Sequence, residues 1–206
     1  MMANDGIFRI IFALVLILMA CIRGYYHRIT LVKALHGSSA GDAIIFRESW
    51  LNMALRGILG FLLLAMLVEY IAYPQWMAWS ALPLPAWLRW TGAGLAVLGL
   101  LLMLWTHHTL GENFSGTLHT REQHTLVVEG PYRWVRHPLY STMYVLLVAF
   151  FLLSANWFIG LVSTVGLTLV VASRVKREEM VMIEKFGDRY CEYMSHTGRF
   201  LPRLGL

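Results

Sequence analysis

Apolar residues in this chain come in long runs rather than in the scattered positions of a soluble core. Five runs stand out, at about Ile7–Ile22, Ala54–Ala72, Leu88–Thr106, Leu139–Leu153 and Trp157–Ser173. A helix rises about 1.5 Å per residue and the hydrocarbon core of a bilayer is roughly 30 Å thick, so about 20 apolar residues cross it. The pattern predicts an all-α integral membrane protein with five transmembrane helices. The last two runs are short for a crossing, and only Ser154-Ala155-Asn156 separates them. They read as a C-terminal helical hairpin. The third run carries Gly92, Ala93, Gly94, Ala96 and Gly99, small residues that let helix backbones approach closely.

The polar intervals refine this picture. Arg23–Met53 joins the first two spans around a flexible Gly37-Ser38-Ser39-Ala40-Gly41 centre and is expected to form a short helix at each end. In His107–His137, Asn113-Phe114-Ser115-Gly116 and Gly130-Pro131 are turn signals, and the β-branched stretch His124–Val128 has strand character. Pro138 suits the first position of the fourth span, where a missing N–H costs nothing. His137 then sits at a helix mouth among amides without intrahelical partners, a setting that suits a ligand carboxylate. Beyond the fifth span, Arg174 to Phe186 reads as a continuation of that helix. Gly187 breaks it, and Asp188 opens a short helix with Tyr190 and Tyr193 that Pro202 ends. No low-complexity linker divides residues 1–206. The reading is one membrane domain, with three spans in 1–106 and a loop, hairpin and tail in 107–206.

Composition agrees: 58% of residues are hydrophobic and 14% charged. Of 17 lysines and arginines, only Arg9 and Arg89 fall on one side if the spans alternate. That asymmetry predicts an outside N-terminus and a cytosolic C-terminus in the cytoplasmic membrane. Trp76, Trp79, Trp87 and Trp90 then form an outer aromatic belt. The formal net charge of +5 reflects this topology and contact with anionic lipid, not nucleic acid. Leu18-Met19-Ala20-Cys21 resembles a lipoprotein cleavage box, but Met19 fits it poorly and the basic residues that follow resist export. An ordinary first span is expected. Cys21 and Cys191 lack metal-ligand spacing and are expected to be structural thiols. The sequence sets no oligomeric state.

Candidate chemistry concentrates in the second half. Arg174 and Glu178 are four apart and share a helix face, which is also the arrangement of an ordinary surface ion pair. Here the pair follows a membrane span and faces the side where Arg136, His137 and Tyr140 begin another. Polar groups at that depth usually have work to do. His107, His108, His119 and His124 are too scattered for a di-iron site, so no metal is expected. No glycine-rich phosphate loop and no nucleophile elbow is present.

Taken together, Gly130-Pro131-Tyr132-Arg133-x-x-Arg136-His137-Pro138-x-Tyr140, Arg174-x-x-x-Glu178-Glu179 and Phe186-Gly187-x-x-Tyr190-x-x-Tyr193 resemble the isoprenylcysteine carboxyl methyltransferase family, and more distantly the phospholipid methyltransferases. The resemblance covers about Asn113 to Pro202. It implies a membrane enzyme that uses S-adenosyl-L-methionine without a Rossmann domain, in a cytosolic cofactor pocket. By motif, His124, Thr125, Leu126, Val127, Tyr132, His137, Pro138, Leu139, Tyr140 and Glu178 would bind the cofactor. Arg174 would orient the substrate. The loop from Asn113 to His124 is shorter than in eukaryotic members, with His119 the only candidate for a glutamine found there. The implied acceptor is therefore a lipophilic small molecule or lipid-linked group, with carboxylate O-methylation favoured over S- or N-methylation. A non-catalytic lipid-binding or assembly protein with the same fold, and a membrane redox enzyme, are the alternatives.

Overall fold

The computed structural model describes residues 5–36, 43–45, 50–111, 119–121 and 125–203. The helices are α1 (Asp5–His36), α2 (Trp50–Ala72), α3 (Ala86–Leu110), α4 (Pro138–Ser154), α5 (Trp157–Phe186) and α6 (Asp188–His196). A 3-10 helix, Pro74–Ser80, follows α2, and a second, Gly130–Arg133, occupies the expected Gly130-Pro131 turn.

Three helices are long and apolar enough to cross a membrane among the described residues: Asp5–Ile29, Ala86–Leu110 and Trp157–Phe186. Gly60–Ala72 and Pro74–Ser80 meet those criteria only as a pair, bent by 107°. Pro74 lacks the N–H that would continue the ladder. α4 has 17 residues and spans about 26 Å, a little less than a hydrocarbon core. The faces turned outward are apolar: Ile10, Leu14 and Ile17 on α1, Phe61 and Leu64 on α2, Val97, Leu101 and Leu104 on α3, Leu161, Val165 and Leu169 on α5. An aqueous protein does not expose such stripes on every helix; lipid is their solvent. The protein is a multi-pass integral membrane protein. Trp76, Trp79, Trp87 and Trp90 are all exposed near one end of the bundle, the arrangement of an interfacial belt.

Local structure departs from the sequence expectation in four places. α1 runs unbroken to His36, so the short helix expected at the start of Arg23–Met53 is continuous with the first span. The all-helical architecture carries one local addition, a short antiparallel pairing of Ala43–Ile45 with His119–Arg121, Ile44 opposite Thr120. The strand expected at His124–Val128 is absent from Thr125–Val128, which is irregular; His124 lies outside the described residues. α6 ends at His196, before Pro202, and the chain after it turns back. The expected Asn113–Gly116 turn and the glycine-rich centre 37–41 also lie outside the described residues.

The interior is built on α4. Leu146, Ala149, Phe150 and Leu153 meet Phe8, Phe12 and Val15 of α1, Met66 and Tyr70 of α2, and Ala96 and Met103 of α3. The α3 glycines make this approach close. A Cβ on Gly92 would lie 2.7 Å from Leu152 Cβ and 3.1 Å from the Leu153 nitrogen. The hairpin between α4 and α5 turns on Ala155 in the left-handed region (φ 47°, ψ 43°). The Asn156 side chain accepts from the Ile159 N–H at 3.0 Å and donates to the Met77 carbonyl at 3.2 Å and Ser80 Oγ at 2.8 Å. One residue thus caps α5 and ties the hairpin to the 3-10 helix. At the same end, buried Arg89 donates to the Leu153 carbonyl from Nε and Nη2, at 3.2 and 2.8 Å, and pairs with Asp5 at 2.5 Å. These bonds serve the C-terminal carbonyls of α4, which have no intrahelical partner.

Candidate active site

At the opposite end of α4 and α5, two consecutive carboxylates have different surroundings. α5 continues past its apolar part to Phe186 and so carries Arg174, Glu178 and Glu179 beside the start of α4. Pro138 opens α4, with His137 as its N-cap residue. Glu178 Oε1 accepts from the Tyr140 hydroxyl at 2.9 Å and from Arg174 Nε at 3.1 Å. His137 Nδ1 lies 3.5 Å from Glu178 Oε2. Glu179, one residue on, lies 3.5 Å from Nε2 of the same imidazole but is held by other arginines. Its Oε1 accepts from Arg136 Nε and from Arg199 Nε, each at 3.1 Å, and its Oε2 from Arg199 Nη2 at 2.5 Å. The Glu179 side chain is 8% exposed and that of Glu178 22%. Glu179 is consumed by structure. Glu178 retains an oxygen with one long contact to His137 and some access to solvent.

The Glu179 clamp holds the tail over the site. Val135 and Gly198 form a parallel bridge. The Arg136 N–H donates to the Gly198 carbonyl at 2.8 Å and the His137 N–H to the Arg199 carbonyl at 3.1 Å. Arg136 Nη1 adds bonds to the Met194 carbonyl at 3.1 Å and to that of Thr197. Gly198 suits this crossing because a Cβ there would meet the Leu201 carbonyl oxygen. Phe200 is thereby brought to 5.9 Å from the His137 ring and 6.4 Å from that of Tyr140, closing an aromatic wall. The His137 amide, which sequence reasoning offered to a ligand carboxylate, is occupied by this tail.

A cleft of about 370 Å³ opens beside the cluster, lined by Leu126, Val128, Arg133, Arg189, Glu192, Tyr193, His196 and Thr197. Tyr132 lies between cleft and cluster. Its carbonyl accepts from the Tyr193 hydroxyl at 2.6 Å. Burial drives the Tyr132 and Tyr190 phenols well above their ordinary range and pushes Tyr193 up to about 12. All three are neutral hydroxyls at physiological pH.

The sequence-derived residues thus divide. His137, Tyr140, Arg174 and Glu178 meet directly. Tyr132 borders them, and Leu126 lines the neighbouring cleft. Thr125 is exposed and Val127 half-buried. Pro138 is buried, and Leu139 packs against the hydrophobic core. His124 and the His119 side chain lie outside the description. Sequence reasoning passed over Arg136, Glu179, Arg199 and Phe200 as site residues. The Glu178-Glu179 doublet was a usable signal, since adjacent helical positions point about 100° apart and here take different arginines.

Comparison with known proteins bears on what this arrangement is. Residues 92–184 match the model of the isoprenylcysteine carboxyl methyltransferase (ICMT) family. That stretch contains α4 and the Glu178 cluster. That stretch, 93 of the 206 residues, is similar to the isoprenylcysteine carboxyl methyltransferase family. It is similar to the protein-S-isoprenylcysteine O-methyltransferase of Mus musculus, 29% identical over 126 residues, covering 60% of this chain and 44% of the mouse protein. The Saccharomyces cerevisiae enzyme of the same name is 29% identical over 144 residues, covering 69% of this chain and 60% of the yeast protein. A probable family enzyme of Oryza sativa subsp. indica is 26% identical over 181 residues, covering 84% of this chain and 86% of the rice protein. The chain therefore spans less than half the length of the mouse relative. In fold, it is similar to the solved structure of the eukaryotic intramembrane Ras methyltransferase, with a TM-score of 0.59 at 20% identity, over 99% of this chain and 70% of that one.

Proposed function

We propose that this chain is an S-adenosyl-L-methionine-dependent methyltransferase of the membrane, acting on a lipophilic acceptor and favouring a carboxylate oxygen. The observation that carries the reading is the convergence of Tyr140 and Arg174 on one oxygen of Glu178, at the polar end of an apolar bundle. The less engaged Oε2 of Glu178 suits the ammonium group of an amino-acid moiety. The aromatic wall of His137, Tyr140 and Phe200 suits a thioether or sulfonium. These residues therefore fit the cofactor chemistry that the family implies.

S-adenosyl-L-methionine supplies, when bound, a methyl group on a sulfonium that leaves as a neutral thioether. The protein's task is then alignment and exclusion of water rather than acid–base work. Glu178 holds the cofactor's amino-acid end. Arg174 orients the acceptor with a planar fork matched to a carboxylate, which is ionised at neutral pH and needs no base. The tail, clamped through Glu179, shields the site from the aqueous side. The exposed apolar stripes suit an acceptor that reaches the protein from the bilayer. The remaining cofactor contacts assigned here are Tyr132, His137–Tyr140 and the stretch 124–127. This reading includes five membrane crossings, counting α2 with its bent extension and the short α4, an outside N-terminus and a cytosolic site.

The experiment is calorimetry with S-adenosylhomocysteine on the full chain in lipid nanodiscs and in detergent, followed by labelled-methyl transfer to lipophilic acids, thiols and amines. Binding and preferential labelling of acids are expected. Folded protein that binds no S-adenosylhomocysteine in either environment is instead a non-catalytic member of the fold.

A further inference from the structure

Arg23 lies on α1, within the apolar stretch Asp5–Ile29. Phe8, Phe12 and Val15 of that helix are buried, and Met19 and Ile22 pack against the same core. Arg23, four residues after Met19, prolongs this inward stripe instead of facing lipid. Tyr26, one turn further, packs against the His107 ring of α3, centroids 5.0 Å apart and planes tilted by 37°, which anchors this part of α1. Arg23 Nη1 is shut off from solvent, with no hydrogen-bond partner among the described residues. No carboxylate among them pairs with this guanidinium. The ionisable groups that bear on it include His107 as well as Tyr140 and Arg174, the last two bonded to Glu178.

The charges do not balance. Glu179 already has two guanidiniums, Arg136 and Arg199, and Glu178 has Arg174. With Arg23, four arginines stand against two carboxylates among the described residues, an excess of two positive charges. A desolvated guanidinium without a counter-charge is costly, and an ionisable residue at membrane depth is retained for a ligand or a relay. Its buried, unpartnered Nη1 and its electrostatic coupling to Arg174 fit a planar anion received by two forks.

We propose that Arg23 is a carboxylate-binding residue of this site, receiving together with Arg174 the carboxylate of a bound ligand. That ligand is the lipophilic acceptor or the amino-acid end of the cofactor. The place of Arg23 on an apolar, lipid-flanked helix favours the acceptor. The proposal rests on the methyltransferase reading for the use of the site, but its ligand chemistry is tested without cofactor.

The test uses the full chain in nanodiscs, wild type against Arg23→Met and Arg23→Lys. The probes are N-acetyl-S-farnesylcysteine, its carboxamide, S-adenosylhomocysteine and decarboxylated S-adenosylhomocysteine, each titrated alone. Arg23→Met is expected to weaken the farnesylcysteine acid by about tenfold or more while sparing the carboxamide. Arg23→Lys, which keeps charge but not the fork, is expected to lose less. A selective loss for S-adenosylhomocysteine over its decarboxylated analogue instead locates the carboxylate on the cofactor. Unchanged affinity for all four probes overturns the proposal. So does equal loss for acid and carboxamide, or a wild type that binds none of the probes. A wild type that binds the acid selectively through Arg23, but neither cofactor analogue, removes the methyltransferase reading and leaves the carboxylate site standing. Thermal melting without ligand separates a packing role: removal of an unpartnered cation should leave the melting temperature unchanged or raise it. A packing role lowers it and weakens every probe together.

Discussion

Glu179→Gln is the sharpest test of how the site is assembled. The substitution keeps size and one acceptor oxygen, removes the charge, and turns an NH2 toward guanidinium donors. Three N–H bonds from two arginines reach the native carboxylate. Breaking a buried ion pair costs about 3–5 kcal/mol when the surviving charge is stranded. Neither arginine is fully stranded here. Arg136 keeps the Met194 and Thr197 carbonyls, and the Arg199 side chain is 45% exposed and can turn to water. The expected loss is therefore nearer that of one charge-assisted bond, about 2 kcal/mol, or about thirtyfold in an equilibrium constant. It should appear where the tail docks. Hydrogen exchange of the Arg136, His137 and Gly198 amides, which bond to Gly198, Arg199 and Trp134, should accelerate by about that factor. Amides in the α3–α4 interface should not change. Protection of the three tail amides indistinguishable from wild type would refute the claim that Glu179 holds the tail.

Three further outcomes follow from the geometry. Glu178→Gln should weaken S-adenosylhomocysteine binding by about tenfold or more, whereas Arg174→Lys should spare binding and slow methyl transfer; mild effects from both would mean a surface ion pair and no active site. Gly92→Ala should lower thermal stability by about 1–3 kcal/mol, because the added Cβ meets Leu152 and main-chain atoms. Gly99→Ala should cost less, since its Cβ meets only the movable end of Leu146. Burial raises the Tyr193 phenol from 10.0 to about 12, so the folded state holds that proton more tightly. The stability this contributes is complete below pH 10 and is lost as pH rises toward about 12. Ultraviolet difference titration of Tyr193→Phe against wild type should show the missing phenolate only at that alkaline end.

The sequence by itself determined what depends on neighbours a few positions apart. Apolar runs specify helices because burying each backbone polar group within its own helix is the available solution in lipid. Pro138 marked the start of α4, Ser154-Ala155-Asn156 marked the hairpin, and four-residue spacing put Arg174 and Glu178 on one face. The motif identified His137, Tyr140, Arg174 and Glu178 together, though not the partners each would take.

Tertiary structure decided whatever joins distant segments. Glu179 bonds Arg136 across 43 residues and Arg199 across 20, only because the chain turns back after His196. Arg89 meets Asp5 across 84 residues, and a residue counted for topology became a cap for α4. Arg23, likewise read as one flanking cation among many, has its Nη1 shut off from solvent because α1 turns the stripe of Met19 and Ile22 inward. Helical period states which residues share a face, but not which helix that face will meet. The partner of a charge in a bundle is set by packing of the apolar faces around it, Gly92 against Leu152 among them, and that choice is made by the whole chain at once.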